Sequence, residues 1–301
     1  MPTISSVSTG FVSLVGRPNV GKSSLLNRAV GHKISITSRR PQTTRHRVIG
    51  IKSTSDSQIV FVDTPGIHTR QSKALNRAIN RSAVNSLHGV DLLALVISAK
   101  GWVADDDESF RLVSRQSCPT ILIINKSDLL KDKDMLLPLI DISRQRMEFA
   151  AIIPVSAKTG WNVDYLVTTI GEHLPVNIPG FAQEQITDKS ERFMAGELVR
   201  EQLFRQLGEE LPYATAVQVE DLNDNHHITI VRAVIWVERQ GQKAMVIGQH
   251  GGRLKSIGTA ARKEIEQCWN RRIHLELRVK VQSGWTDKPA ALRDLGYCEE
   301  S

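Results

Sequence analysis

The first half of the chain alternates short, mostly apolar runs with longer polar stretches. The runs cover residues 11–15, 58–62, 91–98, 120–124 and, together with a turn, 152–158. Apolar runs of this length are typical of buried strands, and the spacers between them are long enough for helices. Because strands joined in this way favour right-handed crossovers, the pattern predicts an α/β domain with a mostly parallel sheet.

The pattern changes after residue 174. Two prolines and a glycine within residues 174–180 predict a linker. Beyond it, residues 190–207 carry a helical apolar stripe, residues 214–219, 228–237 and 273–281 are predicted strands, and a glycine-containing stretch at 243–258 is predicted to join two helices. We therefore expect a first domain over residues 1–178 and a smaller α+β domain over residues 179–301.

A phosphate-loop motif follows the first apolar run. It reads Gly16-Arg17-Pro18-Asn19-Val20-Gly21-Lys22-Ser23, fits G-x-x-x-x-G-K-[ST] at every fixed position, and precedes a predicted helix over 24–30. In this context backbone N–H groups surround a phosphate, Lys22 is expected to reach the β- and γ-phosphates, and Ser23 is expected to ligate Mg²⁺. The alternative is a chance match in a glycine turn.

Two later stretches carry further phosphate and metal chemistry. The basic stretch 39–47 contains Thr43 and Thr44, and a threonine that ligates Mg²⁺ only with a γ-phosphate would make this loop a switch. The alternative is an ordinary basic surface loop. The run 58–62 ends in Asp63-Thr64-Pro65-Gly66, where Asp63 suits a magnesium-binding acid and Gly66 could turn its N–H to the γ-phosphate. An ordinary turn is the alternative here.

The fourth and fifth runs end in residues suited to a guanine base. Asn125-Lys126-Ser127-Asp128 places a carboxylate that can accept from guanine N1–H and N2–H₂, which adenine lacks. The stem of Lys126 could lie along the base, and Asn125 could brace neighbouring loops. The backbone of Ser156-Ala157-Lys158 could meet guanine O6, although this motif is the weakest alone.

These five stretches in this order resemble the translation-factor-related GTPases over about residues 8–175. The resemblance implies a GTPase with Mg²⁺ held by Ser23, Thr44 and Asp63. Ile67 stands where Ras-like relatives carry the glutamine that orients water, so slow intrinsic hydrolysis is implied. Asn19 matches an asparagine that holds K⁺ in some relatives, but it is equally a turn-forming residue. The catalytic set implied by the resemblance is Asn19, Lys22, Thr43, Thr44 and Gly66.

The second domain carries Gly248-Gln249-His250-Gly251 between apolar Val246-Ile247 and Gly252-Arg253-Leu254-Lys255. This arrangement resembles a type II KH domain, whose glycine loop clamps the backbone of about four single-stranded nucleotides. A plain helix–turn–helix with glycine caps is the alternative. His250 stands where many relatives have lysine. The residues expected to bind RNA are Lys243, Ile247, Gly248, Gln249, His250, Gly251, Gly252, Arg253 and Lys255.

Charge supports an anionic partner. The chain has a formal charge of +7 and a pI of about 9.4. Residues 239–280 hold ten Lys and Arg against three Asp and Glu, whereas residues 179–301 as a whole hold 17 against 18. The positive charge is therefore concentrated around the Gly-x-x-Gly motif. The three cysteines show neither disulfide nor zinc spacing, so a reducing cytosol is expected. Residues 1–10 lack a signal-peptide pattern, and no apolar run suggests a membrane span.

The combined motifs resemble a family of bacterial ribosome-assembly GTPases, and the match extends to 42–47, 186–188 and 281–285. The resemblance implies a monomeric cytoplasmic switch that binds GTP and GDP, binds small-subunit ribosomal RNA and aids assembly of the small subunit. Two alternatives stay open. One is an RNA-binding module with a structural nucleotide site. The other is a membrane-surface signalling GTPase. Peripheral association with the cytoplasmic side of the inner membrane also stays open for the ribosome-assembly GTPase.

Overall fold

The computed structural model describes residues 6–38, 40–41, 43–66, 74–208, 210–225, 227–295 and 297. Its first half alternates strands and helices as the apolar pattern predicts. The elements are β1 (Val7–Val15), α1 (Lys22–Val30), β2 (Val48–Ser53), β3 (Ser57–Asp63), α2 (Ala74–Asn85), β4 (Leu92–Ser98), α3 (Asp106–Val113), β5 (Thr120–Asn125), α4 (Leu136–Arg146), β6 (Ala151–Pro154), α5 (Val163–Glu172) and β7 (Val176–Asn177).

The sheet of the first half has the order β2-β3-β1-β4-β5-β6, with β7 paired to β1. The pairs β1·β3, β1·β4, β4·β5 and β5·β6 are parallel, whereas β2 pairs antiparallel with β3. The predicted α/β class and mostly parallel sheet are confirmed. The central strands are buried on both faces, and β4 is buried at every position, which explains why their sequences lack alternation. The predicted motifs at 16–23, 63–66, 125–128 and 156–158 lie at the carboxyl ends of β1, β3, β5 and β6, whereas Thr43 and Thr44 precede β2.

The second half contains α6 (Glu191–Gln206), β8 (Ala216–Asn225), β9 (Ile228–Val237), α7 (Gln240–Ile247), α8 (Gly252–Trp269), β10 (Ile273–Val281) and α9 (Pro289–Asp294). Its sheet has the order β10-β9-β8, with β9 parallel to β10 and antiparallel to β8. A helix and two strands precede the Gly-x-x-Gly loop, which agrees with the predicted KH topology of type II. The core of this half packs α6 and α8 on one face of the sheet, around Leu203, Ile235 and Ala261.

The described chain forms two compact units. One comprises residues 6–35, 44–66 and 80–188, and the other comprises residues 189–297 together with 36–43 and 74–79 from the first half. The predicted domain boundary after residue 178 stays a prediction. The two compact units instead divide after residue 188, and the second unit includes two segments from the first half. The first of these short segments directly precedes the predicted site residue Thr44.

The predicted linker at 174–180 is partly ordered structure of the first unit. β7 lies within it and pairs with Val7 and Ser8 of β1. The chain then continues along the sheet, since Ile51 N–H donates to the carbonyl of Ile186 at 2.8 Å. The prolines interrupt the helix as predicted. The backbone N–H and C=O groups of β7, which lies between them, pair with β1. No helix in the described part of the chain combines the length and apolarity that crossing a bilayer requires.

Candidate nucleotide and nucleic-acid sites

The phosphate loop turns sharply into α1. Gly21 has a φ of 99°, in the left-handed region, and a Cβ there would lie 2.4 Å from Nδ2 of Asn125. Only glycine fits this approach without displacing a side chain of the predicted base site. Gly66 approaches the same loop from β3, where a Cβ would lie 2.8 Å from Cγ of Pro18. The structure thus brings the predicted loop and the predicted γ-phosphate glycine together.

Lys22 lies within the loop that it is predicted to serve. Its Nζ donates to the carbonyls of Gly16 at 2.7 Å and Arg17 at 3.1 Å, and the residue is 6% exposed. Burial lowers the pKa of Lys22 to about 8, against the opposing attraction of Asp63. The two carbonyls that hold the buried Lys22 ammonium are neutral. Bound phosphates would supply the negative charge that balances it, so the site is suited to a polyanion.

Asp63 is the centre of a cluster of hydroxyl groups. Its Oδ2 accepts from Ser23 Oγ at 2.6 Å and from Ser35 Oγ at 2.8 Å, and Ser23 Oγ lies 2.9 Å from Thr44 Oγ1. Asp63 is fully buried, and its Oδ1 has no hydrogen-bond partner within the described residues. Burial raises the pKa of Asp63 despite the stabilising hydroxyls and Lys22. An unpartnered buried carboxylate oxygen beside two hydroxyls fits Mg²⁺, which prefers oxygen ligands.

The two candidate threonines have different surroundings. Thr44 faces Ser23, whereas Thr43 Oγ1 lies 2.5 Å from Ser38 Oγ and donates to the Arg40 carbonyl at 2.9 Å. Of the pair, Thr44 is therefore the one placed to ligate Mg²⁺. The stretch is not uniformly a basic surface loop, because Arg45 is 3% exposed. Arg39, Gln42 and Ile67 lie outside the described residues.

The predicted base site is assembled around Asn125. Its Nδ2 donates to the Val20 carbonyl at 2.8 Å, and its Oδ1 accepts from the amides of Lys126 at 2.7 Å and Ala157 at 3.0 Å. Asn125 thus braces three loops, as the sequence predicted. Lys126 Nζ donates to the carbonyl of Asn19, across the phosphate loop.

Asp128 faces the 156–158 turn. Its Oδ1 accepts from Ser156 Oγ at 2.7 Å, and the residue is exposed at the rim, where a base could reach its carboxylate. Two of the turn's backbone amides are already engaged, since Ser156 N–H donates to Trp161 O and Ala157 N–H donates to Asn125. Among the described hydrogen bonds, the amide of Lys158 has no acceptor. Lys158 is therefore the residue of the turn best placed to meet guanine O6.

Two positioning side chains on α1 carry no motif and were missed by sequence reasoning. Arg28 donates to the carbonyls of Ala157 at 3.1 Å and Lys158 at 2.8 Å, and so ties α1 to the base turn. Asn27 accepts from the amides of residues 34 and 35 and donates to the Ser35 carbonyl at 2.7 Å. The sequence signal was faint, because polar residues on an amphipathic helix ordinarily face solvent.

The Gly-x-x-Gly loop lies between α7 and α8 as predicted. Gly248 has a φ of 72°, and a Cβ there would lie 2.7 Å from Cβ of Arg253. His250 has a φ of 49°, also left-handed, and is exposed. Gly251 has a φ of 74° with open space around its Cβ position. The loop therefore offers its backbone to solvent, and α8 starts immediately after it.

A groove of about 350 Å³ runs from this loop along α8 to β10. Of the predicted RNA-binding residues, Gly251 and Lys255 line it. The apolar floor and the far wall were not predicted, because residues on α8 and β10 come together only in the fold. The lining residues are Gly251, Leu254, Lys255, Gly258, Thr259, Arg262, Leu275 and Leu277. An apolar floor with a basic rim suits stacked bases with a phosphate backbone alongside.

The segment 36–43 is tied to α6 within the second unit. Thr37 N–H and Oγ1 donate to Glu201 at 3.0 and 3.2 Å, and Arg200 Nη2 donates to the Thr43 carbonyl at 2.6 Å. Arg40 donates to the carbonyls of Leu207 and Gly208 at 2.6 and 2.8 Å, beyond the end of α6. This segment ends directly before Thr44, whose Oγ1 lies in the hydroxyl cluster around Asp63.

Two family models match the chain. The model described as 50S ribosome-binding GTPase matches residues 11–126, and the KH domain model matches residues 210–286. Among curated relatives, GTPase Era of Yersinia enterocolitica is 46% identical over 301 residues, which is all of this chain and 99% of the relative. GTPase Era of Yersinia pestis strain Pestoides F is also 46% identical over the same length.

Two solved structures are similar over nearly the whole chain. A crystal structure of a variant of Aquifex aeolicus Era bound to GDP and AlF4⁻ has a TM-score of 0.94 at 38% identity, covering 97% of this chain and 100% of that one. A structure of Era with MgGDPNP and nucleotides 1506–1542 of 16S ribosomal RNA has a TM-score of 0.93 at 38% identity, with the same coverage.

Proposed function

The chain belongs to the Era family of GTPases, and from that membership we propose that it is a nucleotide-controlled switch that binds small-subunit ribosomal RNA and assists assembly of the small subunit. It hydrolyses GTP and carries a KH domain. The single observation that carries the proposal is the relative bound at once to MgGDPNP and to 16S ribosomal RNA, which matches both units of this chain in one alignment.

The proposed nucleotide site divides the work among three groups of residues. Amides of residues 16–23 and the Lys22 ammonium would bind the phosphates, Asp128 and the 156–158 turn would select guanine, and Ser23, Thr44 and Asp63 would hold Mg²⁺. Bound Mg²⁺ would neutralise charge that develops on the phosphate oxygens. The buried, preorganised donors around Lys22 would stabilise the same charge without reorganisation during the reaction.

We also propose that K⁺ binds beside the phosphates through Asn19. The backbone of Asn19 is held in a left-handed conformation, with a φ of 62°, while its carbonyl accepts from Lys126. An added cation could supply the charge that an arginine supplies in other GTPases. The test compares GTP turnover in K⁺ and Na⁺ for the parent and Asn19→Ala. Faster turnover in K⁺ that Asn19→Ala removes is expected, and equal parent rates in both salts would exclude a K⁺ site.

We assign the basic groove to RNA rather than to an anionic membrane, because an apolar floor beside Gly251 and Lys255 suits bases better than lipid headgroups. The experiment measures binding of a fluorescent RNA spanning the 3′ end of 16S ribosomal RNA, a scrambled RNA of equal length, and a 23S ribosomal RNA segment. Tighter binding of the 16S segment is expected. Equal affinity for all three, at fixed salt, would reject the small-subunit assignment while leaving GTP hydrolysis untouched.

A further inference from the structure

The phosphate loop is held from the side by an ion pair with α3. Arg17, the second residue of the loop, lies with its Nε 3.0 Å from Oδ1 of Asp106, in the first turn of that helix. The side chain of Asp106 is 1% exposed and that of Arg17 is 23% exposed. Asp106 Oδ2 also accepts from the amide of Val103 at 3.1 Å. Both partners belong to the first unit.

This carboxylate is poorly explained as a source of stability. Burial raises the pKa of Asp106, and the hydrogen bond from Val103 and the attraction of Arg17 only partly oppose that effect. Buried ion pairs generally contribute little net stability, because removing two charges from water costs about as much as their attraction returns. The free-energy cost of burying the Asp106 carboxylate is better explained by its effect on the position of Arg17.

The backbone of Arg17 has a defined task in the loop. Its carbonyl and that of Gly16 together hold Lys22 Nζ, at 3.1 and 2.7 Å. Gly16 is itself confined, because a Cβ at that position would lie 2.4 Å from the Val96 carbonyl. Fixing the Arg17 side chain therefore fixes the carbonyls that aim Lys22. The contact between Arg17 Nε and Asp106 Oδ1 is an ion pair that lacks hydrogen-bond geometry, so charge attraction is what holds this side chain, and we assign Arg17 a role through its backbone carbonyl.

We propose that Asp106 is a positioning residue for nucleotide binding, which holds Arg17 and thereby keeps the phosphate loop and Lys22 in the geometry that receives the phosphates. Asp106 does not touch the nucleotide in this scheme. The inference rests on the GTPase activity and is independent of the RNA assignment. Its distinguishing consequence is that removing the Asp106 charge weakens nucleotide binding more than it weakens folding.

The test is Asp106→Asn, which keeps an oxygen for the Val103 amide and removes the charge. We expect the dissociation constants for GDP and GDPNP to rise about 10- to 100-fold, because small displacements of binding groups have effects of that size. The thermal midpoint should change no more than in the control. The control is Asp107→Asn, the next residue on the same helix, which pairs with Arg146 at 2.9 Å on the surface and contacts no loop residue described above.

Two further variants separate positioning from a general structural effect. Arg17→Gln removes the charge of the more exposed member of the ion pair. The double variant of Arg17→Gln and Asp106→Asn should bind nucleotide no more weakly than the weaker-binding of the two single variants. Asp106→Glu restores the charge and should recover part of the affinity. The proposal is overturned if Asp106→Asn binds GDP as tightly as Asp107→Asn does. It is equally overturned if the losses in the double variant simply add.

Discussion

In the proposed nucleotide site, selection of the base is assigned to a single exposed carboxylate. Asp128 is held from one side by Ser156 Oγ, so its orientation does not depend on the ligand. Guanine presents two donors to this carboxylate, whereas adenine presents none at the same positions. Sites that pair polar groups in this way discriminate strongly, because the wrong ligand leaves a charge unpaired.

Asp128→Asn is therefore predicted to lower GTP affinity by about 100-fold or more and to raise affinity for XTP, whose C2 carbonyl suits an amide donor. Competition of both nucleotides against a fluorescent GDP measures this change. Asp134→Asn makes the same chemical change six residues along, at an exposed position, and should bind GTP as the parent does. Unchanged GTP affinity in Asp128→Asn would remove this residue from the base site.

Asp106 gives a prediction about stability and pH. Because its pKa in the folded protein is raised by burial, folding favours the protonated form, and the penalty for ionisation applies at pH values above that pKa. As the pH falls through the folded-state pKa of Asp106, the free energy of unfolding of the parent should rise relative to that of Asp106→Asn. The variant shows no such rise because its amide cannot titrate. Unfolding of both proteins by urea across a pH series measures the difference. A difference in unfolding free energy that stays constant with pH would contradict the raised pKa.

One face of α6 could be predicted from the sequence and the other could not. Its apolar stripe, including Leu198 and Leu203, predicted the helix, and the structure packs these residues in the core of the second unit. The opposite face carries Glu197, Arg200 and Glu201, which in a sequence indicate a solvated surface. All three are buried, and the segment 37–43 lies on that side, where Thr37 donates to Glu201 and the Thr43 carbonyl accepts from Arg200. No local pattern marks a partner about 160 positions away, so this face could not be predicted.

Other elements followed local rules more closely. The phosphate loop, the strand ends and the Gly-x-x-Gly loop each depend on glycine or on an apolar run within a few residues, and each was located correctly. β2 was missed because it lies at the sheet edge and its sequence mixes Gly50 and Lys52 with apolar residues. β7 was hidden by the prolines around it. Contacts between distant stretches, such as Arg28 with the 156–158 turn, left no signal in either partner.

The loop between α7 and α8 should fail as an RNA clamp when it is made bulky and acidic. Gly248→Asp with Gly251→Asp is predicted to abolish RNA binding while GTP binding survives, because the loop belongs to the second unit. The matched control is Gly180→Asp with Gly241→Asp, which adds the same charge at exposed glycines where a Cβ meets nothing within 4 Å. Retained RNA affinity in the loop variant would show that this loop does not bind the RNA.

At the scale of the whole molecule, we expect the proposed nucleotide and RNA sites to influence each other through the continuous chain at Thr43 and Thr44. Thr44 Oγ1 lies in the hydroxyl cluster around Asp63, and the carbonyl of Thr43, the residue before it, accepts from Arg200 of α6. A movement of Thr44 on GTP binding would therefore change the RNA affinity of the second unit. We expect coupling of about 1–3 kcal/mol, which is roughly a 5- to 150-fold difference in RNA affinity between GDPNP- and GDP-loaded protein.

The measurement is the ratio of RNA dissociation constants in the two nucleotide states at fixed salt. Arg40→Met removes both hydrogen bonds to the carbonyls after α6, and it should bring the ratio towards one, even if it also weakens RNA binding in both states. Arg111→Met makes the same change in a surface ion pair and should leave the ratio as in the parent. Matching constants in the parent would mean that the two sites are only tethered.

The interleaving of the chain also sets an order in time for its synthesis. The hydrogen-bonded pair Thr43 and Arg200 is separated by 157 positions. On a translating ribosome the segment 36–43 emerges long before α6 has been made, and it must wait without its final partners. A chain interrupted before α6 leaves Ile36 and its neighbours uncovered, whereas residues 189–297 made alone lack two of their own pieces. The second unit therefore completes its contacts only after α6 and the residues that follow it have been made, so we expect the proposed RNA binding to be absent from chains interrupted earlier.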